Sequence, residues 1–229
     1  TKKLGSFARL RETMANLRER GQRITVNMCV VRTNYASVAA FPALILPYGA
    51  QQLHLDMMRP LDAGVRTEDE MRDMIPRYAD LAAPLRAMIA GFEAQSPGFD
   101  VNIGNLPYCI APDLAQWIHH DGERTLTVAV DDKDSLSEAW DKYQVKARDK
   151  VKRDACRACV FDDQCSSVYD TYQRFHGLDE FEPVTCERLV ALDPRQRLFT
   201  LLAKPWVEAV SRWSPPAPFA GVTVTVLPS

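Results

Sequence analysis

The sequence has little of the composition that marks a membrane protein or a nucleic-acid-binding protein. Its 28 basic and 30 acidic residues leave a net charge of -2, so no overall positive field attracts nucleic acid or an anionic membrane. No stretch comes near the roughly 18 uninterrupted apolar residues of a membrane span, and the first residues lack the apolar segment of a signal peptide. Neither nucleic acid nor a membrane is therefore implied as a partner, and a cytoplasmic location is the expectation.

Cysteine is scarce and unevenly placed. Six cysteines in 229 residues are too few for a disulfide scaffold, and three of them fall within the ten positions from Cys156 to Cys165. In a reducing cytoplasm such crowding indicates a metal site before it indicates disulfides. Cys29 lies inside an apolar segment, and we expect it, like Cys186, to be a buried small hydrophobic residue rather than a ligand.

The first half of the chain alternates between helical and strand patterns. Apolar spacing predicts one helix and three strands, over residues 6–20, 24–31, 51–59 and 99–103 respectively. The helix ends at Gly21, and the nearly unbroken apolar run over 24–31 suits a strand covered on both faces. A capping box at Thr67 predicts one long helix that extends to Phe92. The alternation indicates an α/β fold with a parallel sheet or a partial barrel.

After Pro107 this βα pattern ends. A turn over residues 108–112 and a small strand over 125–130 lead to a charged stretch and then to the crowded cysteines. The last part of the chain is rich in proline, and residues 219–227 are predicted to form an edge strand or the start of a further element.

The crowded cysteines have the spacing C-x2-C-x5-C, formed by Cys156, Cys159 and Cys165. The first pair can bind one metal centre from a single tight turn, and the third can return to the same centre. Three thiolates leave one position open. Thiolates select zinc, copper(I) or iron-sulfur clusters over hard cations.

Cys109 is the natural fourth ligand. Pro107 and Pro112 hold it in a rigid turn at the end of a predicted strand, where loops gather on α/β folds. Together Cys109, Cys156, Cys159 and Cys165, called the four cysteines below, suit either a four-iron cluster or structural zinc.

Two other sources of chemistry are weaker. His119 and His120 are adjacent, and neighbours on an extended segment point to opposite sides, so we expect one to be solvated and neither to be a ligand. A C-x-x-C thiol oxidoreductase is disfavoured because the motif does not follow the first strand of a βαβ unit and leaves Cys165 without a role.

Further motifs accompany the cysteines in a recognisable order. They are Gly21-Gln22-Arg23-Ile24-Thr25-Val26-Asn27, Arg32-Thr33-Asn34-Tyr35, Arg59-Pro60 with Gly64, Leu106-Pro107-Tyr108-Cys109, and finally Tyr169, Phe175, Gly177 and Glu180-Phe181-Glu182-Pro183. In this order they resemble the radical S-adenosylmethionine (radical SAM) enzymes that carry an auxiliary cluster in a C-terminal twitch or SPASM-like domain. The resemblance covers roughly residues 6–183.

The resemblance implies a fold and a set of site residues. Residues 1–106 would be the second half of a partial (βα) barrel, residues 107–186 a small cysteine-rich cluster-binding domain, and residues 187–229 a C-terminal tail of unknown role. The four cysteines would hold an auxiliary [4Fe-4S] cluster. Asn27 and Arg59 would bind cofactor by facing the barrel interior near S-adenosylmethionine or substrate, although Asn27 also suits a strand end and Arg59 an ion pair with a carboxylate.

The chain also departs from that family. It lacks the C-x3-C-x2-C loop that binds the S-adenosylmethionine-cleaving cluster, and it has three predicted strands where the partial barrel has six. We therefore expect this chain to be the C-terminal half of an oxidoreductase-type enzyme and to start no radical chemistry by itself. S-adenosylmethionine and the second [4Fe-4S] cluster would bind only in the intact parent enzyme.

Two functional interpretations remain open at this point. In the first, the auxiliary cluster relays electrons or supports binding of a peptide or small-molecule substrate, with a flavodoxin or ferredoxin as electron donor. In the second, the four cysteines bind zinc in a non-catalytic structural or interaction module.

Overall fold

The computed structural model of the chain describes residues 5–60, 66–120, 126–128 and 135–193. Its central feature is a four-stranded parallel sheet, which establishes an α/β fold. The strands lie in chain order and are β1 (Thr25–Val30), β2 (Gln52–Met57), β3 (Asp100–Gly104) and β4 (Ile118–His119). The sequence predicted the first three, and the short fourth strand was missed because two residues carry no periodicity.

One helix precedes the sheet, and the other helices lie between its strands along the chain. In chain order they are α1 (Ser6–Glu19), α2 (Phe41–Ile45), α3 (Glu68–Met74) and α4 (Ala82–Gln95), with 3-10 turns over Tyr35–Ala40, Leu46–Tyr48, Tyr78–Leu81 and Pro112–Trp117. No helix in the described ranges is long and apolar enough to cross a bilayer.

The prediction of one long helix from Thr67 to Phe92 is wrong. Its capping box is present, since Thr67 Oγ1 accepts from Glu70 N at 3.2 Å and Thr67 N donates to Glu70 Oε2 at 2.9 Å. The helix nevertheless ends at Met74, and Ile75 is extended because a residue that precedes proline is sterically disfavoured in the helical region. Helical structure resumes beyond Pro76.

Helix α1 ends at the glycine that the sequence predicted, but fewer of its apolar side chains are buried than their helical spacing suggested. Gly21 has φ 64°, and Gln22 N donates to Leu17 O at 2.9 Å, which closes the C-terminal turn. Of its apolar residues Met14 is buried, whereas Phe7 and Leu10 are about half exposed, at 53% and 49%.

The sheet has one apolar face and one polar face. Along β2 the side chains of Leu53, Leu55 and Met57 are buried, and those between them, including His54 and Asp56, are partly exposed. Alternation along a strand places these two sets on opposite faces. The apolar face is the one that the helices cover.

The expectation that β1 is covered on both faces is therefore wrong. Thr25, Asn27 and Cys29 alternate along β1 and are exposed, while Val30 is buried. Cys29 is correspondingly not the buried hydrophobic residue that its apolar neighbours suggested. In register, Asn27 lies beside His54, and His54 lies beside Asn102, so a row of polar side chains crosses the open face.

The cysteine-rich part of the chain is built from short elements. They are β5 (Leu126–Thr127), β6 (Trp140–Asp141), α5 (Lys142–Ala147), β7 (Lys150–Val151), a 3-10 helix (Asp154–Ala158), β8 (Val168–Tyr169), α6 (Asp170–His176) and α7 (Cys186–Leu192). Strands β5 and β6 pair antiparallel, as do β7 and β8. The described part of the strand predicted over 125–130 contains β5. The element predicted over 219–227 lies outside the described residues.

The two parts of the chain share one hydrophobic core. Tyr78, from the turn before α4, stacks on Tyr172 of α6 with ring centroids 4.2 Å apart. Tyr78 N donates to Tyr172 Oη at 2.8 Å, and Ala79 N donates to Glu180 Oε2 at 2.7 Å. The division at residue 106 stays a prediction, because apolar packing continues across it.

Helix α4 lies close to α2 at a glycine. A Cβ on Gly91 would lie 2.9 Å from Cγ of the buried Pro42, which is closer than Cβ atoms in real structures come to such neighbours. The close packing of α4 against α2 therefore requires a glycine, which has no Cβ, at this position.

We expect Gly91→Ala to lower the free energy of unfolding by about 1–2 kcal/mol, because overpacking against Pro42 exceeds the roughly 1 kcal/mol that alanine adds in helix propensity. Chemical denaturation measures the difference. In a Pro42→Ala background the same substitution should become neutral or stabilising. An equal loss in both backgrounds would show that this contact is not the cause.

Candidate metal centre

One pocket brings the four cysteines together. It is lined by all four of them, with Pro107, Tyr108, Lys152, Arg153, Asp162, Ser167, Leu178, Phe181 and Pro183. The arrangement joins residues far apart in sequence, because Cys109 follows β3 whereas the other three precede β8. The sequence-based grouping of these four residues is thus a spatial grouping as well.

The turn that carries Cys109 is closed by backbone contacts. Asn105 has φ 62° and donates its N–H to His119 O at 2.9 Å, which ends β3 beside β4. Ile110 N then donates to Pro107 O at 3.1 Å across Cys109. Pro107 thus sits in the tight turn that the sequence predicted, at the carboxyl end of a parallel strand.

Successive tight turns carry the other three thiols. Cys159 N donates to Cys156 O at 2.8 Å, as expected for a pair that shares one turn. Cys165 N donates to Phe161 O at 2.9 Å, which turns the chain back toward the pair. The intervening Val160 and Phe161 are buried and anchor the loop in the core.

Burial is the main influence on the ionisation of three of these thiols, those of Cys109, Cys159 and Cys165. It raises the pKa of Cys109 strongly, and the thiols of Cys165, Cys159 and Cys156 raise it further because neighbouring thiolates repel one another. Burial also raises the pKa of Cys159 and of Cys165. Cys109, Cys159 and Cys165 therefore favour the protonated thiol in the metal-free protein, and a bound cation would hold them as thiolates.

Backbone N–H groups oppose this effect of burial. Contacts with the backbone of Phe161 and Val184 lower the pKa of Cys159, and contacts with the backbone of Ser167 and Tyr108 lower that of Cys165. Ser167 N lies 3.4 Å from Cys165 Sγ. These donors favour the thiolate form, and hydrogen bonds of this kind to sulfur adjust the reduction potential of iron-sulfur clusters.

The pocket also has basic residues on its wall. Lys152 Nζ lies 2.7 Å from Asp162 Oδ1, so its charge is partly offset. Arg153 is held by donation to Leu178 O at 2.8 Å and to Phe181 O at 2.9 Å. Positive charge at this position favours an anionic thiolate centre.

The four thiols are neighbours but are not a preformed ligand set for one ion. Among the residues the structure describes, no three His, Cys, Asp or Glu side chains have the arrangement of a single-ion site.

The two adjacent histidines point to opposite sides, as predicted. His119 is exposed, whereas His120 is buried beside the pocket with Nε2 3.9 Å from Cys165 Sγ. Burial, and next the charge of Lys150, lower the pKa of His120 to about 3, so its imidazole is neutral. The sequence did not predict this contact between His120 and Cys165. Alternation of side chains along an extended segment places the two histidines on opposite sides but does not say which of them is buried.

The remaining predicted site residues have separate surroundings. Asn27 is exposed on the polar face of the sheet. Arg59 lies just beyond β2 and forms an ion pair with Asp149, at 2.8 Å from Nε to Oδ2, with side-chain exposures of 13% and 20%. That contact favours the structural interpretation of Arg59, since it ties the sheet to the segment that leads into β7.

Comparison with protein-family models, with curated proteins and with solved structures finds no match for this chain. The resemblance to radical SAM enzymes therefore remains a prediction from the residues themselves.

Thiol reactivity in the metal-free, reduced protein should follow these environments. At about pH 8, near the ordinary thiol pKa of about 8.5, we expect N-ethylmaleimide to modify the exposed Cys29 first. Cys109 and Cys165 should react last, because burial limits access and their raised pKa leaves little thiolate. Time-resolved peptide mass spectrometry measures the order, and a higher pH should speed the slow sites. Equal rates at Cys29 and Cys109 would contradict the described packing.

Proposed function

We propose that the four cysteines bind an auxiliary four-iron cluster and that this chain is the C-terminal part of a radical SAM enzyme. The observation that carries the proposal is the convergence of four thiols on one pocket from segments far apart in the sequence. Four cysteine thiolates are the usual ligands of such a cluster. When bound, it would supply one-electron chemistry to the enzyme.

The surroundings of the thiols support the same proposal. Tyr108 lines the pocket and stacks on the buried Phe161 with ring centroids 4.6 Å apart, so this side of the pocket is apolar and backed by the core. Lys152 and Arg153 place positive charge on its wall. A cluster with four thiolates carries net negative charge, and basic groups with N–H donors to sulfur are what stabilise it in an apolar site.

The sheet supports the barrel part of the proposal. Four parallel strands in chain order, as here, are the arrangement of a (βα) barrel, whereas a doubly wound sheet reverses its order at a switch point. The polar face with Asn27, His54 and Asn102 would form part of the barrel interior, where amide and imidazole groups can bind S-adenosylmethionine or a peptide or small-molecule substrate. A flavodoxin or ferredoxin would donate the electrons.

Metal analysis of anaerobically reconstituted protein tests the proposal. We expect about four irons and four sulfides per chain with broad absorption near about 400 nm, and loss of both in Cys159→Ser. Cys29→Ser is the matched control, because it makes the same change at an exposed cysteine outside the pocket. It should keep the full iron content.

Two outcomes would overturn the proposal. One zinc per chain in a colourless sample, lost in Cys159→Ser, would identify a zinc-binding structural or interaction module instead. Iron that survives in Cys159→Ser but is lost in Cys29→Ser would show that the pocket is not the site.

A further inference from the structure

A chain of hydrogen bonds connects the polar face of the sheet to a pocket cysteine. Asn105 Nδ2 lies 3.5 Å from Oδ1 of Asp56 on that face, and Lys150 Nζ donates to Asn105 Oδ1 at 2.9 Å. Lys150 Nζ also donates to Ser166 Oγ, and Ser166 Oγ lies 2.8 Å from His120 Nδ1. His120 in turn contacts Cys165. The role proposed above for the pocket does not account for this chain.

We propose that Lys150 is a positioning residue that raises the reduction potential of the bound cluster, acting through Ser166 and His120 on Cys165. This inference rests on the proposed function, since it concerns the cluster that the four cysteines would hold. It assigns a role to three side chains that ligate nothing themselves.

Lys150 is held in place from several directions. It lies in β7, paired with Tyr169 of β8, and its ammonium group stands 5.2 Å from the centroid of the Tyr169 ring. The contacts to Asn105 and Ser166 give the ammonium a defined position beside the residue that follows Cys165. A fixed charge acts on one site more strongly than a solvated, mobile one.

The contacts of Lys150 determine how the next groups are oriented. Because the ammonium donates to Ser166 Oγ, the hydroxyl proton is directed to His120 Nδ1, which also accepts from Ser166 N at 3.3 Å. His120 therefore carries its proton on Nε2, as assigned from these partners. That nitrogen lies 2.5 Å from Leu106 O and 3.9 Å from Cys165 Sγ.

The effect on the potential follows from charge. A bound cluster would accept one electron from a donor of the ferredoxin or flavodoxin class, passing from its 2+ to its 1+ state with no bond made or broken. A nearby cation stabilises the more negative, reduced state. The positive N–H end of the His120 imidazole acts in the same direction, because Nε2 donates to Leu106 O and lies 3.9 Å from Cys165 Sγ. Lys152 also lines the pocket, and its charge lowers the pKa of Cys165, but its side chain is exposed, so solvent screens its charge.

The test compares Lys150→Met, which removes the charge at similar length, with Lys150→Arg, which keeps it. The midpoint potential is measured on reconstituted protein by a redox titration monitored by electron paramagnetic resonance, with iron and sulfide content determined on the same samples. We expect the equilibrium constant for reduction to fall about tenfold in Lys150→Met, which corresponds to about 59 mV, and to change little in Lys150→Arg. Arg20→Met, at an exposed arginine next to α1, controls for the loss of one charge.

The failures can be told apart. Wild-type protein that binds no iron would overturn the proposed function, whereas a full iron content with the same potential in wild type and Lys150→Met would overturn only the role of Lys150. If Lys150→Met loses iron, the potential of Ser166→Ala tests the proposal instead, because this variant keeps the lysine and removes the hydroxyl that connects it to His120. A lowered potential in Ser166→Ala supports the proposal, and an unchanged one overturns it.

Discussion

The buried ring of Tyr108 is the contact on which the rest of the site depends. It stacks on Phe161 at 4.6 Å and on His120 at 5.1 Å, and its hydroxyl donates to Ile118 O at 3.2 Å. Tyr108 is adjacent to Cys109, and Phe161 lies inside the loop that carries the other thiols. One aromatic side chain therefore connects the end of the parallel sheet to the cysteine loop, and the thiols share a pocket because these rings share a core.

The parallel sheet supplies the second constraint. Its apolar face is covered by the connecting helices, and its other face carries amides, carboxylates and imidazole. Parallel strands direct their carboxyl ends to one edge, and the turn with Cys109 and the ion pair of Arg59 with Asp149 both lie at that edge. The pocket thus borders both the sheet and the cysteine-rich segment.

Local features were predictable where a few neighbouring residues decide them. Gly21 ends α1, Thr67 and Glu70 cap α3, and Cys156 and Cys159 share a turn, because each depends on hydrogen bonds within four or five residues. The break at Pro76 was visible in the sequence too, but the apolar spacing on both sides outweighed it in the prediction. Propensity and periodicity disagreed there, and the steric limit on Ile75 prevailed.

The sequence by itself determined the α/β alternation, the turn geometry around the cysteines and the opposite orientation of His119 and His120. Only the tertiary structure decided that the outer face of β1 is open, so that Cys29 is exposed, and that His120 rather than His119 is inside. The physical reason is that alternation defines two faces without saying which one is covered. Coverage depends on residues such as Tyr108 and Phe161, which are distant in sequence and meet only after folding.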